Sequence, residues 1–313
     1  MNAFLFPGQG SQLVGMGSEF FNNFDIVKNI FRKADEKLNF SISKLILDGP
    51  SEELQLTQNT QPAILIVSYS IFTVLKEEFN FDFSTSKYFA GHSLGEYSAL
   101  VCASSLQFED ALYLLKERGS AMQAAVPVGK GSMLAVLGTN LEEIEKLILK
   151  IDKNKGVCEI ANDNANGQII VSGVKNSVEE FKQILKSNNI KSIPLKVSAP
   201  FHCSLMKPAA EAMNSKIEKT NFKEPTFDIV SNVTAEIERN TSNIKKLLID
   251  QIVSPVKWRE SVINMSKNNV KNFIEIGPGK VLTGMVKRTI KDANCFSINS
   301  ITDIKNLNDQ LKK

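Results

Sequence analysis

Lys87-Tyr88-Phe89-Ala90-Gly91-His92-Ser93-Leu94-Gly95-Glu96-Tyr97 carries a strand, a sharp turn and the start of a helix in one short stretch. Residues 87–90 have the aromatic and apolar content of a short buried strand. Gly91 and Gly95 bracket a turn too tight for bulky neighbours, and residues 96–102 open a helix. Serine at the centre of G-x-S-x-G between strand and helix is the nucleophile-elbow arrangement: the hydroxyl stands clear of its neighbours, and the helix behind it aims unpaired N–H groups at developing negative charge. Read without that context, the same five residues are an ordinary Gly-Ser turn. Outward from this point the alternation repeats. Residues 3–6 read as a first strand ending at Pro7-Gly8-Gln9-Gly10-Ser11-Gln12, and helical patterns cover about 18–38 and 60–79, the latter with Ile64, Val67, Ile71, Val74 and Leu75 at three- and four-residue steps. Strand, turn and helix in rotation are the mark of an α/β sheet.

The middle of the chain is self-contained. Strand 132–137, helix 140–150, strands 157–162 and 168–172, helix 176–187 and strand 192–197 follow a βαββαβ order, with Asn166-Gly167 at the central hairpin. The expected fold is therefore α/β, a hydrolase-like parallel-sheet core with an inserted ferredoxin-like βαββαβ subdomain. Residues 1–127 and 199–313 form the large catalytic subdomain in this reading, and 128–198 the small one. The main body resumes with a helix near 205–219, a strand at 227–230, helices near 243–253 and 257–267, a strand at 271–276 closed by Gly277-Pro278-Gly279, a helix near 280–290 and a polar tail. No internal repeat or low-complexity linker interrupts it.

Composition narrows the function. With 313 residues, 42% hydrophobic and 23% charged, and a mean hydropathy of −0.10, the chain is globular rather than disordered, and longer than one ordinary domain. Its longest strongly apolar stretch, residues 63–75, is broken by Ser68, Tyr69, Ser70 and Thr73 and falls short of the roughly 20 residues of a bilayer span. Lysine plus arginine is 37 against 34 acidic residues, a net charge of +3, which is no footprint of nucleic-acid binding. Cys102, Cys158, Cys203 and Cys295 are far apart with no C-x-x-C pair, against both a zinc site and a disulfide framework, and consistent with a reducing compartment. Residues 1–6 read as strand rather than as a basic, hydrophobic leader, so the expected location is cytoplasmic.

Serine at neutral pH needs a base, and the chain holds only 2 histidines, His92 and His202. His92 adjoins Ser93, and successive residues of a tight elbow point different ways, so packing or a structural hydrogen bond is its expected role. His202, in a loop after the last strand of the insert, is left as the base by elimination. Hydrolases hold the far nitrogen of such a histidine with a carboxylate between serine and histidine. Asp163 lies in that interval but inside the insert, a poor fit. Arg118 interrupts the apolar stripe Ala111, Leu115, Met122, Ala125 of a helix over 108–125. A buried guanidinium needs an anion, and two readings stand: a protein carboxylate satisfies it structurally, or it awaits a substrate carboxylate.

Taken together these segments resemble the malonyl-CoA:acyl carrier protein transacylase family, which includes acyltransferase domains of polyketide synthases. The resemblance spans the chain and rests on Phe6-Pro7-Gly8-Gln9-Gly10-Ser11-Gln12, Gly91-His92-Ser93-Leu94-Gly95-Glu96-Tyr97, Arg118 with Met122, Ala161-Asn162-Asp163-Asn164, Pro200 to Met206, Gln251 to Trp258, and Glu275-Ile276-Gly277-Pro278-Gly279-Lys280. It implies Ser93 as acylated nucleophile and His202 as base, with the backbone carbonyl of Gln251 orienting the histidine in place of a carboxylate. It implies Gln9 and Leu94 as oxyanion-hole amides, Arg118 as the clamp on the malonyl carboxylate, and Met122, Asn162 and Phe201 as pocket residues, Phe201 disfavouring a methylmalonyl branch. The implied activity is ping-pong transfer of malonyl from malonyl-CoA to the phosphopantetheine thiol of an acyl carrier protein for fatty-acid synthesis. No permanently bound cofactor, metal, nucleic acid or membrane is expected, and a monomer is. Carrier proteins are typically acidic, so Lys182, Lys186, Lys191 and Lys196 are candidates for a carrier entrance or, equally, an ordinary solvated face. The same residues would also serve a discrete polyketide acyltransferase or a serine esterase or thioesterase, and an inactive carrier-docking module is the non-enzymatic alternative.

Overall fold

The computed structural model describes residues 1–197 and 199–311. Residue 198, last of the expected small subdomain, and residues 312 and 313, at the end of the expected polar tail, lie outside the described residues.

Two sheets organise the chain. The larger is built from β1 (Asn2–Phe6), β2 (Ser86–Gly91), β7 (Asp228–Val230), β8 (Ile237–Glu238), β9 (Asn272–Ile276) and β10 (Asn294–Ile298), in the order β10-β9-β1-β2-β7-β8. All its pairs are parallel except β7 with β8. Parallel strands are covered on both faces, and β1 shows it residue by residue. Phe4 and Phe6 enter the core that holds the helix Thr57–Glu77, while Ala3 and Leu5 enter a second core with Trp258 and Phe273 on the opposite face. Phe89 of β2 stacks flat on Phe227, centroids 4.3 Å apart, which seats β7 beside β2.

The second sheet is antiparallel and uses β3 (Gly131–Leu137), β4 (Cys158–Ala165), β5 (Gln168–Val174) and β6 (Lys191–Pro194), in the order β4-β5-β3-β6. Leu134, Val136, Ile169 and Val171 face the helices Leu141–Ile148 and Lys175–Ser187. The alternate residues Met133, Ala135 and Ile170 face the main core. The period of two thus puts one face of this sheet under its own helices and turns the other toward the larger sheet. β4 has irregular register at Ile160/Asn162 and Asp163/Ala165, and there it also bonds the main body: Val256 N donates to Ala161 O at 2.9 Å and Asp163 N to Val256 O at 3.0 Å.

The helix Thr57–Glu77 is buried on nearly every side and crosses the helix Phe108–Ala124 at Gly119, where a β-carbon would lie 2.6 Å from Gln58 Cα. Only glycine permits that approach, which matters for the site because Gln61 and Arg118 lie on these two helices. Among the described residues, no helix is long and apolar enough to cross a membrane.

Several expectations need correction. The single helix over 18–38 is two, Ser18–Asn23 and Asp25–Leu38, broken where Phe24 adopts an extended conformation. β6 stops at Pro194, earlier than expected; Leu195 N still donates to Met133 O of β3 at 3.0 Å, but residues 195–197 are no longer part of the strand. Short helices Ile42–Asp48 and Ser51–Leu54 and the strand β8 went unread. Most consequentially, the supposed polar tail supplies β10, an edge of the larger sheet, and a helix Ile301–Leu311 whose Ile304 and Leu307 are buried. Ile304→Ala removes a fully buried side chain there and should cost about 3 kcal/mol, read as a lowered urea midpoint at unchanged slope.

Candidate active site

β2 runs out at Gly91 and the helix Gly95–Cys102 begins four residues on, so the chain reverses across Ser93. Ser93 takes φ 54°, a left-handed conformation that a residue with a β-carbon adopts at a cost of about 1–2 kcal/mol. Two buried side-chain amides offset it. Ser93 N donates to Asn232 Oδ1 at 2.6 Å, Asn232 Nδ2 donates to Gly91 O at 2.7 Å, and Gln251 Nε2 donates to Ser93 O at 3.1 Å. At Gly95 any β-carbon would sit 2.1 Å from Phe6 O, so the elbow closes against β1 only with glycine there.

His202 meets this serine from a loop between the two sheets. Its Nε2 is 2.8 Å from Ser93 Oγ and its Nδ1 is 2.9 Å from the backbone oxygen of Gln251. A carbonyl only accepts, so Nδ1 carries the proton and Nε2 is left to accept from the serine hydroxyl. Burial, reinforced by the charge of Arg118, pulls the imidazole from 6.5 down to about 3, and it is neutral at physiological pH. His202 is itself left-handed, φ 57°, and the antiparallel sheet grips both sides of it. Ser172 Oγ donates to Phe201 O at 2.7 Å, and Glu159 accepts from Ser204 N at 2.7 Å and Ser204 Oγ at 2.8 Å.

Asp163 has no part in this pair, since its carboxylate is bridged to Arg259 at 2.8 Å. His92 bonds Asn164 Oδ1 through Nε2 at 2.8 Å and lies edge-on to Trp258, the structural role expected for it.

Arg118 is completely buried. Its Nη1 donates to Gln61 Oε1 at 2.9 Å, and its Nη2 to Gln251 Oε1 at 2.8 Å and to Ser93 Oγ at 3.2 Å. Among the described residues its Nε has no partner. Among the described residues no carboxylate reaches it within ion-pair distance, so of the two readings the structural carboxylate is absent. The nearest acid in this network is Glu96, one amide removed: Gln251 Nε2 and Asn232 N both donate to Glu96 Oε2, at 2.7 and 3.2 Å. Burial pushes that carboxyl up to about 7.

These groups open onto a cleft of about 230 Å³ whose walls include Gln9, Ser93, Arg118, Met122, Asn162, Phe201 and His202. That is below the roughly 300–1,000 Å³ of drug-sized ligand sites and suits a short acyl group. Leu94 is not on the wall. It is buried at the N-terminal cap of the Gly95–Cys102 helix, where a backbone N–H rather than a side chain can face the cleft. Leu195 and Val197 line the cleft and Lys196 is exposed between them. Lys182, Lys186 and Lys191 share a separate depression, and Lys182 is paired with Glu179. Sequence reasoning missed Gln61, Glu96, Asn232 and the side chain of Gln251. Neutral amides carry no periodic or motif signal, and Glu96 read simply as the opening of a helix.

With this geometry in view, comparison with known proteins is direct. The acyl transferase domain family matches residues 3–312. The malonyl CoA-acyl carrier protein transacylase of Bacillus subtilis is 44% identical over 287 residues, covering 91% of this chain and 89% of the relative. That of Haemophilus influenzae is 41% identical over 300 residues, covering 96% and 95%. The crystal structure of an acyl-carrier-protein S-malonyltransferase from Bartonella henselae superposes with a TM-score of 0.96 at 39% identity, covering 100% of this chain and 99% of that one. A malonyl-transacylase in complex with its type II polyketide-synthase acyl carrier protein gives 0.95 at 37% identity, covering 99% of both chains. By a match over nearly its whole length, the chain belongs to the acyl transferase domain family, and within it to the malonyl CoA-acyl carrier protein transacylases.

Proposed function

We propose that this chain transfers the malonyl group of malonyl-CoA to the phosphopantetheine thiol of an acyl carrier protein by way of a malonyl-serine. The single observation that carries the reading is Ser93 Oγ, held 2.8 Å from a bare imidazole nitrogen and 3.2 Å from a guanidinium that has no carboxylate partner among the described residues.

In the first half-reaction Ser93 Oγ attacks the thioester carbon while His202 Nε2 takes its proton. The tetrahedral oxyanion turns to the N–H groups of Gln9 and Leu94, a pair of donors of the kind whose single loss typically costs about 10²–10³ in rate. Collapse breaks the C–S bond, the departing CoA sulfur recovers the proton from His202, and malonyl-serine remains. In the second half-reaction the carrier thiol gives its proton to His202 and attacks the ester. The C–O bond to Ser93 breaks as Oγ recovers that proton, and the malonyl group departs as a thioester of the carrier. Gln251 O keeps Nδ1 protonated and so keeps Nε2 basic throughout.

Arg118 supplies selectivity. Gln61 and Gln251 orient it with neutral oxygens that do not cancel its charge, so a malonyl carboxylate gains a charge-assisted partner in a dry site and an acetyl group gains none. Met122, Asn162 and Phe201 shape the acyl pocket, with Phe201 crowding a branched acyl group.

We read residues 1–127 and 199–313 as the large catalytic subdomain and 128–198 as the small one, carrying hydrolase-like and ferredoxin-like architecture respectively. The elbow on a parallel sheet supports the first description, and the strand order β4-β5-β3-β6 with both helices on one face supports the second. The exposure of Lys196 on the cleft wall supports it as a carrier contact. The reading extends to a cytoplasmic monomer serving fatty-acid synthesis, with malonyl-CoA as substrate and no resident cofactor.

Malonyl-CoA with and without holo carrier protein tests the reaction. CoA release should depend on the carrier after one turnover, and carrier-independent release would make the protein a thioesterase. Intact mass after malonyl-CoA alone should show one malonyl adduct, lost in Ser93→Ala. For Arg118→Ala the preference for malonyl over acetyl donors, as a ratio of kcat/KM, should fall at least about a hundredfold. Because His202 stays neutral down to about pH 3, acylation at saturating malonyl-CoA should hold nearly constant from pH 7.5 to 5. A histidine at its ordinary value would lose roughly thirtyfold over that range.

A further inference from the structure

Glu96 is a buried acid that the transfer chemistry does not use. It is 3% exposed, sits on the first turn behind the nucleophile, and is joined to the substrate-binding cation by a single side chain: Arg118 Nη2 donates to Gln251 Oε1 at 2.8 Å, and Gln251 Nε2 donates to Glu96 Oε2 at 2.7 Å. One amide therefore has its oxygen fixed by the guanidinium and its nitrogen by the carboxylate. It cannot flip without losing both bonds.

We infer that Glu96 is a positioning residue that sets how strongly Arg118 holds a dicarboxylic acyl donor: it orients the Gln251 amide and, when ionised, acts as the built-in counter-charge that a malonyl carboxylate must compete with. The inference rests on the clamp reading of Arg118. With the cleft free of substrate, a buried guanidinium with only neutral acceptors is costly, and a carboxylate one amide away offsets part of that cost. When malonyl enters, two anions share one cation. The ionised form of Glu96 then opposes malonyl binding and leaves an acetyl donor unaffected, and by reciprocity malonyl binding favours protonation of Glu96.

The charge is poised to matter near neutral pH. Burial pushes the Glu96 carboxyl up to about 7. The other titratable or charged groups in this network are silent there: burial lowers Arg118 from its ordinary value, yet a guanidinium stays cationic at these pH values, Tyr97 is raised to about 12 and His202 is lowered to about 3. The preference for malonyl over acetyl is thus greatest below pH 7, where Glu96 is protonated, and declines as the pH rises and Glu96 ionises.

Glu96→Gln isolates the charge. Both donors to Glu96 converge on the same oxygen, so a glutamine with its carbonyl oxygen in that place keeps both hydrogen bonds and removes only the ionisation. The measurement is the ratio of kcat/KM for malonyl-CoA to that for acetyl-CoA between pH 6 and 8.5, with the separate KM values. In the unmodified protein the ratio should fall by about fivefold across this range, a coupling at the lower end of what linked sites show, and the change should lie in the KM for malonyl-CoA. In Glu96→Gln the ratio should stay at its low-pH value throughout. A ratio independent of pH in the unmodified protein overturns the inference even if the variant does not fold, and so does a variant ratio that still falls with pH. Arg118→Ala separates the two levels: if it keeps the malonyl preference, the clamp reading fails and this inference with it. If it loses the preference while Glu96→Gln behaves as the unmodified protein does, only the role of Glu96 is wrong.

Discussion

A guanidinium sealed from water and surrounded by neutral oxygens is the constraint on which the site depends. Arg118 is fully buried, and the oxygens it meets belong to Gln61, Gln251 and Ser93. A carboxylate in direct contact would satisfy it at the expense of any anionic ligand. Amide oxygens instead fix its orientation and leave its charge to act on the cleft. Two consequences follow. The cation helps hold His202 unprotonated, which is the state a base requires. It also lies beside Ser93 Oγ, where negative charge develops as the proton leaves.

Amides do much of the structural labour around this cation. Gln251 bonds through every polar group it offers here: its backbone oxygen fixes the tautomer of His202, its side-chain oxygen receives Arg118, and its side-chain nitrogen donates to Ser93 O and to Glu96. Asn232 spans the elbow between Ser93 N and Gly91 O. The left-handed backbone at Ser93 and at His202 is held by hydrogen bonds from outside each turn, the first from the main body and the second from the antiparallel sheet. The 2.8 Å contact of Ser93 with His202 thus joins an elbow held by the main body to a loop held by the antiparallel sheet, and it depends on how the two sheets dock.

Much of this was legible in the sequence because it is local. The elbow at residues 91–95 and the anomalous arginine in an apolar stripe follow from spacing within one or two turns of chain, and the βαββαβ order from a succession of such local patterns. The tail was misread for the opposite reason. Residues 294–298 bury only Ile298 fully and show no clean alternation, and they form a strand by pairing along the parallel edge of β9. The break at Phe24 likewise interrupts a continuous local pattern.

What the sequence by itself determined is therefore the order of the longer elements ahead of the tail and the candidates for reactive groups: one elbow serine, one histidine remaining after elimination, and one arginine out of register with its helix. What only the tertiary structure decided is which anion that arginine could have. Its three oxygen partners come from positions 61, 93 and 251, and no local spacing can reveal that all are uncharged. Charge satisfaction inside a protein is a property of what long-range packing brings within a few ångströms, and packing is cooperative where sequence pattern is local.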